Sequence, residues 1–154
     1  IDDLNSLNDG GEFERSYLDI YPVELKLTKE NESNLCASFL DLNIKIISDQ
    51  FSYGLYDKRD NFPFSIVRMP HTCSNMPSTI FYSSFGAEIL RIARASSSLE
   101  EFSVASNTII KRSLRQGANE IRLKKLLSKS FERHFSTFSD IANNSRGFLN
   151  ILFQ

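Results

Sequence analysis

The stretch LDLNIKIISDQFSYGL, residues 40–55, decides the first half of the fold. Leucine and isoleucine alternate with polar residues from Leu40 to Ile46, a period of two that is typical of a strand with one buried face. Residues 48–50 predict a turn, and residues 51–55 then alternate again, so the stretch predicts a β-hairpin. The side chains expected in its core are Leu40, Leu42 and Ile44, and those expected to be more exposed are Asn43 and Lys45.

After Pro77 the hydrophobic period changes from two to that of a helix. Apolar residues recur three or four positions apart at Phe81, Phe85, Ile89 and Ile92. Residues 96–98 are three serines that interrupt this pattern, and Ser98 with Glu101 has the spacing of a capping box at the start of a second helix.

A second helix and a third are predicted on either side of Gly117. The second helix runs through Phe102 and Ile109, and Gly117 suits the left-handed residue that commonly follows a helix. The third helix is predicted from the apolar residues Ile121, Leu123, Leu127, Phe131 and Phe135. The whole pattern predicts an α+β chain: antiparallel β-hairpins first, then a bundle of three helices.

Composition excludes several classes of protein. The 154 residues are 41% hydrophobic and 24% charged, which is typical of a globular chain and not of a disordered one. Two cysteines are too few for a disulfide scaffold. The longest stretch without a charged residue, 69–87, contains two prolines and many polar residues, so we expect no membrane span.

Charge is distributed unevenly along the chain. Residues 1–60 carry 13 acidic and six basic side chains, whereas residues 61–154 carry six acidic and 12 basic ones. An acidic first part and a basic second part suggest metal binding in the first and phosphate binding in the second, although a chance distribution of solvated charge remains an alternative.

The basic residues concentrate in residues 111–133, which hold eight lysines and arginines against two glutamates. Four of them recur at helical spacing, so a helix would place them on one side, where a phosphate backbone could neutralise them. A solvated helix face is the alternative interpretation. The residues predicted to bind nucleic acid are Lys111, Arg112, Arg115, Arg122, Lys125, Lys129 and Arg133.

Several short motifs are similar, in their order and spacing, to those of the reverse transcriptases of Penelope-like retroelements. The start of the chain, Ile1-Asp2-Asp3-Leu4, resembles the last part of the aromatic-x-Asp-Asp box of reverse transcriptases. The other matching motifs are Ser38 to Ile44, Leu55 to Asp60, Ser74-Asn75-Met76-Pro77, Leu90 to Arg94 and Gln116-Gly117. Together the motifs extend over residues 1 to about 138.

The resemblance implies two parts. Residues 1–70 would be the end of a polymerase palm with a primer-gripping hairpin, and residues 71–142 a helical thumb. Residues 143–154 are expected to form a tail to which the resemblance does not extend. Two metal ions, Mg²⁺ or Mn²⁺ in the intact parent enzyme, would support nucleotidyl transfer. Asp2 is the better candidate for a catalytic metal ligand and Asp3 would support the site, while Tyr53 and Tyr56 are candidates for contact with the primer, for which packing within the hairpin is an alternative.

The function expected from this resemblance is that of a fragment of an RNA-directed DNA polymerase, located inside the cell in the nucleus. It would hold the duplex of RNA template and DNA primer beside the missing upstream palm and fingers. The isolated chain is predicted to be inactive because the fingers and the other palm aspartate are absent. Two alternatives remain open: a non-enzymatic nucleic-acid-binding module, and a protein-interaction domain with a basic helix.

Overall fold

The computed structural model describes residues 33–64 and 66–134, together with the single residues 12, 15, 16, 22, 24, 28 and 136. Asp2 and Asp3, and the predicted tail 143–154, lie outside the described residues. Three strands are followed by a 3₁₀ turn at Lys58–Asn61 and by three helices: β1 (Cys36–Phe39), β2 (Leu42–Ile47), β3 (Gln50–Leu55), α1 (Ser78–Arg94), α2 (Leu99–Arg115) and α3 (Glu120–Arg133). The predicted α+β class, with antiparallel strands before three helices, is confirmed.

The predicted hairpin is formed by β2 and β3 in a sheet whose strand order is β1-β2-β3. Ile44 pairs with Tyr53, and Lys45 pairs with Ser52, in antiparallel register. The hairpin turn consists of Ser48 and Asp49, whose φ angles of 49° and 61° are both positive. Positive φ at both central residues is what a tight turn needs to match the right-handed twist of the flanking strands.

Leu40 does not belong to the strand in which the alternation placed it. Phe39 pairs with Leu42, so Leu40 and Asp41 close the turn between β1 and β2. Leu40 has a φ of 53° and is 79% exposed, so the prediction that it lies in the core is wrong. The physical reason is that β1 pairs with β2 immediately before Leu42, and the alternating pattern itself cannot distinguish a strand residue from a turn residue next to it.

The polar face of the hairpin contacts the start of α2 and the turn before it. Lys45 Nζ lies 3.5 Å from Glu101 Oε1 of α2, and Ser52 Oγ lies 3.3 Å from Ser97 Oγ in the turn before α2. Gly54 allows this approach, because a Cβ there would lie 2.3 Å from Glu101 Oε2. The alternation predicted that Leu42 and Ile44 are buried and that Asn43 and Lys45 are more exposed. This difference is wrong, because all four side chains are half-buried.

Ser97 also joins the sheet to the helices through the free edge of β3. Its backbone N–H donates to the carbonyl of Tyr53 at 2.8 Å, and its hydroxyl accepts from the Tyr53 N–H at 2.9 Å. Leu55, at the end of β3, packs against the helical core. The turn between α1 and α2 therefore protects an edge strand that would otherwise present unpaired backbone groups.

The core of the described residues lies between the three helices. The four apolar residues predicted along α1 are all buried, and Leu123, Leu127 and Phe131 bury the inner side of α3. Ile121, by contrast, is 77% exposed, so its predicted place in the apolar row is wrong: it projects from the first turn of α3, away from the side that Leu123 buries.

Ring and backbone contacts fix the directions of the helices. Phe102 near the start of α2 meets Phe131 near the end of α3 edge-on, with ring centroids 6.2 Å apart. The Asn119 N–H, just before α3, donates to Tyr82 Oη in the first turns of α1 at 3.0 Å. Helices α1 and α3 therefore run in the same direction, and α2 is antiparallel to both.

The helix ends follow the sequence signals with one difference. Ser98 Oγ accepts from the Glu101 N–H at 3.3 Å, as an N-cap serine does. The Glu101 carboxylate, however, lies beside Lys45 instead of completing the reciprocal half of a capping box. Gly117 has a φ of 80°, as its position after α2 predicted.

Candidate nucleic-acid interface

Helix α3 carries a row of cations on its outer side. Because Leu123, Leu127 and Phe131 bury one side of the helix, residues displaced by roughly half a turn from this row face solvent. All four basic residues predicted on one side of this helix are exposed. We call these four, Arg122, Lys125, Lys129 and Arg133, the basic face of α3.

The basic face is largely free of carboxylate partners. Within the described part of the chain, Lys125, Lys129 and Arg133 form no ion pair, while Lys124, on another side of the helix, pairs with Glu120 at 2.7 Å. The Arg122 guanidinium lies 3.8 Å from the centroid of the Tyr82 ring. This cation–π contact fixes the side chain at one end of the row without neutralising its charge.

The predicted basic residues of α2 divide into two groups. Lys111 and Arg115 are exposed and have no carboxylate partner among the described residues, so they are available to an anion. Arg112 instead donates from Nη2 to Asp60 Oδ1 at 2.7 Å, which links α2 to the 3₁₀ turn. Its charge is therefore partly compensated within the chain.

The two tyrosines predicted near the primer lie at the sheet. Tyr53 contacts Ser97 through its backbone, at the end of α1, and its ring lies on the exposed apolar face of the sheet. Tyr56 is half-buried, and its hydroxyl accepts from Asn61 Nδ2 at 2.9 Å. Arg122 contacts the start of α1 through Tyr82, so the structure places Tyr53 and Arg122 at opposite ends of α1.

A buried ion-pair network fixes the segment between the sheet and α1. The side chain of Arg68 is only 10% exposed and pairs with Asp57 and with Glu88, the latter at 2.8 Å. Arg91 donates to both carboxylate oxygens of Glu88, at 3.0 and 2.7 Å, and to Asp41 at 2.9 Å. The network thus connects the β1–β2 turn, the irregular segment and α1.

The network changes the proton affinities of its members. Burial lowers the pKa of Arg68 despite the nearby charge of Glu88. Burial opposes ionisation of Glu88 too, but the hydrogen bond from Arg91 and the charges of Arg91 and Arg68 outweigh it, so the pKa of Glu88 lies below its ordinary value. The hydrogen bond to Glu88 raises the pKa of Arg91. The lowered pKa of Glu88 favours its ionised form, and arginine keeps its charge in proteins.

Sequence reasoning missed a cleft between the irregular segment and the end of α2. Its volume is about 430 Å³, and its lining includes Phe62, Phe64, Arg112 and Arg115. The signal was present as FPFSIV at residues 62–67, where apolar side chains crowd into a segment that has neither strand nor helix periodicity.

The proposed metal site cannot be built from the part of the chain that the structure describes. Asp2 and Asp3 lie outside it, and no group of three or more histidine, cysteine, aspartate or glutamate side chains within it could hold a metal ion. None of the described helices is long and apolar enough to cross a membrane.

Comparison with known proteins gives no relative. No family model, no curated protein and no solved structure matches the chain.

Proposed function

We propose that the chain is the end of the palm and the thumb of a reverse transcriptase resembling those of Penelope-like retroelements, and that it holds a template–primer duplex through the basic face of α3. The observation that carries the proposal is the exposed row of four cations on α3, none of which has a carboxylate partner among the described residues. The order of antiparallel strands and three helices agrees with such a fragment.

The binding role follows from the charge and spacing of this row. Residues three and four apart on a helix are neighbours, so the cations repel one another unless an anion lies over them. A nucleic-acid backbone presents phosphates at short regular intervals, and lysine and arginine neutralise them with release of counterions. Such contacts position a duplex but carry no base code, which suits a protein that must move along any sequence.

The metal-dependent chemistry belongs to a different part of the proposal. Asp2 and Asp3 would contribute to a two-metal site of the intact enzyme, where Mg²⁺ or Mn²⁺ would activate the primer hydroxyl. No step of the duplex-holding role depends on these residues.

Salt-dependent duplex binding tests the proposal. Affinity of the chain for B-form DNA should fall with salt, with a log–log slope of about −0.9 per neutralised phosphate. The double substitution Lys125→Ala and Lys129→Ala should weaken binding to all sequences about equally and reduce that slope by up to about 2. An RNA–DNA hybrid duplex measured in parallel should respond to the same substitutions.

A matched double variant separates the basic face from net charge. Lys58→Ala with Lys124→Ala removes two exposed lysines outside the basic face and changes the net charge equally. This control should retain the slope of the unaltered chain. If both double variants lose affinity equally, or if Lys125→Ala with Lys129→Ala leaves the slope unchanged, the basic face is only a solvated helix surface.

A further inference from the structure

The cleft beside α2 exposes an unusual concentration of apolar side chains. Phe62 and Phe64 are 48% and 62% exposed, and Ile66 and Val67 next to them are exposed as well. The two rings have their centroids 5.4 Å apart, at an angle of 41°. Leaving this much apolar surface in water costs free energy, and clustered exposed apolar groups commonly mark a binding site.

Residues on both sides of the two rings are tied to the rest of the fold. Before them, Asp57 Oδ1 accepts from the backbone N–H and the Nε of Arg59, at 3.1 and 2.9 Å, and Asp60 pairs with Arg112. After them, Arg68 is fixed by its buried ion pairs and Met69 lies in the core. These contacts fix the two flanks of the segment before any ligand arrives, which lowers the entropic cost of binding.

The charge around the rings is positive. Arg59, Arg68, Arg112 and Arg115 line the cleft with one carboxylate, Asp60, which pairs with Arg112. Asp57 and Glu88 pair with Arg68. Arg115 lines the same cleft and has no carboxylate partner among the described residues. The volume of about 430 Å³ is that of a site for a small ligand or a short segment of a polymer.

From this juxtaposition we infer that the cleft binds a short unpaired segment of nucleic acid, with bases stacked on Phe62 and Phe64 and a phosphate at Arg115. Exposed aromatic faces beside cations are the recurring features of single-strand binding, because every base has a flat face and every linkage an anion. A paired base offers its faces to its neighbours in the stack, so the rings select unpaired nucleotides. The inference rests on the proposed function in that it assumes a nucleic-acid partner, but it uses a different surface from the basic face of α3.

Base-dependent binding is the property that distinguishes this site. The probes are an oligothymidylate and an abasic oligomer of the same length, which carries the same phosphates without bases. With two stacked bases, the unaltered chain should bind the oligothymidylate at least about thirty-fold more tightly than the abasic oligomer. The double substitution Phe62→Ala and Phe64→Ala should remove most of this ratio, and both side chains are exposed, so the fold should be retained.

A spectroscopic signal provides a second measurement. The chain contains no tryptophan, so Phe64→Trp introduces a single indole whose fluorescence should be quenched by the oligothymidylate and not by the abasic oligomer. Equal affinity for the two oligomers, an unchanged ratio in the Phe62→Ala and Phe64→Ala variant, or no binding of oligothymidylate would each overturn the inference.

The same measurements separate this inference from the proposed function. Lys125→Ala with Lys129→Ala should lower affinity for both oligomers and leave their ratio unchanged, because α3 contacts phosphates only. The chain could bind the oligothymidylate more tightly than the abasic oligomer while the α3 substitutions leave duplex binding unchanged. That result would contradict only the duplex-holding role. Salt-dependent duplex binding that the α3 substitutions weaken, together with equal affinity for the two oligomers, would contradict only the proposed binding at the cleft.

Discussion

At the scale of single residues, the turn between α2 and α3 depends on Gly117. Its φ of 80° is in the left-handed region, and a Cβ there would lie 2.7 Å from Thr72 Oγ1 and 2.9 Å from His71 Cε1. Thr72 also donates from its hydroxyl to the Gly117 carbonyl at 2.8 Å, so the neighbouring segment is tied to the turn. Backbone conformation and space thus both require a residue without a side chain.

We therefore expect Gly117→Ala to lower the free energy of unfolding by about 1–2 kcal/mol from the left-handed conformation alone, and by more because of the contacts with residues 71 and 72. Urea unfolding of the two chains measures this difference. Gly86→Ala is the matched control, because Gly86 lies within α1 with no atom near its missing Cβ, and there alanine should raise stability by about 0.5–1 kcal/mol. Similar effects at the two glycines would contradict the explanation.

Single residues were predictable where a local rule decides them. Gly117 follows from the preference for glycine after a helix, and Ser98 from the preference of N-caps for serine. Leu40 was not predictable, because leucine rarely adopts the positive φ that it has here. Its conformation results from the pairing of β1 with β2, which is a relation between two segments and not a property of either one.

At the scale of elements, the alternation of apolar and polar residues identified the two faces of the hairpin. It did not predict which helix each face contacts. The amphipathic pattern favours burial of the isoleucine side, yet Ser52 and Gly54 on the other side are the small residues that let α2 approach. The cleft was missed for a related reason: no periodicity distinguishes exposed apolar residues in an irregular segment from core residues. The basic face of α3 was visible because its spacing follows from helix geometry alone.

The ion pairs of α1 predict how stability depends on pH. Because the pKa of Glu88 is lower in the folded chain than its ordinary value of about 4.3, ionised Glu88 contributes stability above that pH. This contribution is lost as the pH falls through the lowered pKa. Glu88→Gln should reduce the free energy of unfolding by about 1.5–3 kcal/mol near neutral pH, since hydrogen bonds to a charged group are replaced by neutral ones.

Denaturant unfolding of both chains over a range of pH measures the effect. The difference between the unaltered chain and Glu88→Gln should be constant near neutrality and should shrink in acid. Glu132→Gln, on the exposed side of α3, should follow the unaltered chain throughout. A difference that persists unchanged into strong acid would show that the Glu88 carboxylate does not stabilise the fold through its charge.

At the scale of the whole molecule, the sheet and the helices meet through few but specific contacts. Ser97 joins the edge of β3, Glu101 lies beside Lys45, and Arg68 connects the intervening segment to α1. The order of elements and the class of fold were predictable from the change of period after Pro77. How the two parts pack was not predictable, because it depends on pairs of residues that are 20 to 56 positions apart, which no local pattern relates.

The whole chain is predicted to bind duplex without extending a primer. Two-metal nucleotidyl transfer uses carboxylates that converge on both ions from more than one strand. Asp2 and Asp3 are adjacent, and adjacent residues of a strand point to opposite faces, so one of them at most would enter such a site from a regular strand. A primer-extension assay with Mg²⁺ or Mn²⁺ should show no synthesis above background, even at protein concentrations that saturate duplex binding. Template-dependent extension that disappears in Asp2→Asn would contradict this prediction, since it would mean that the chain completes the metal site with its own side chains.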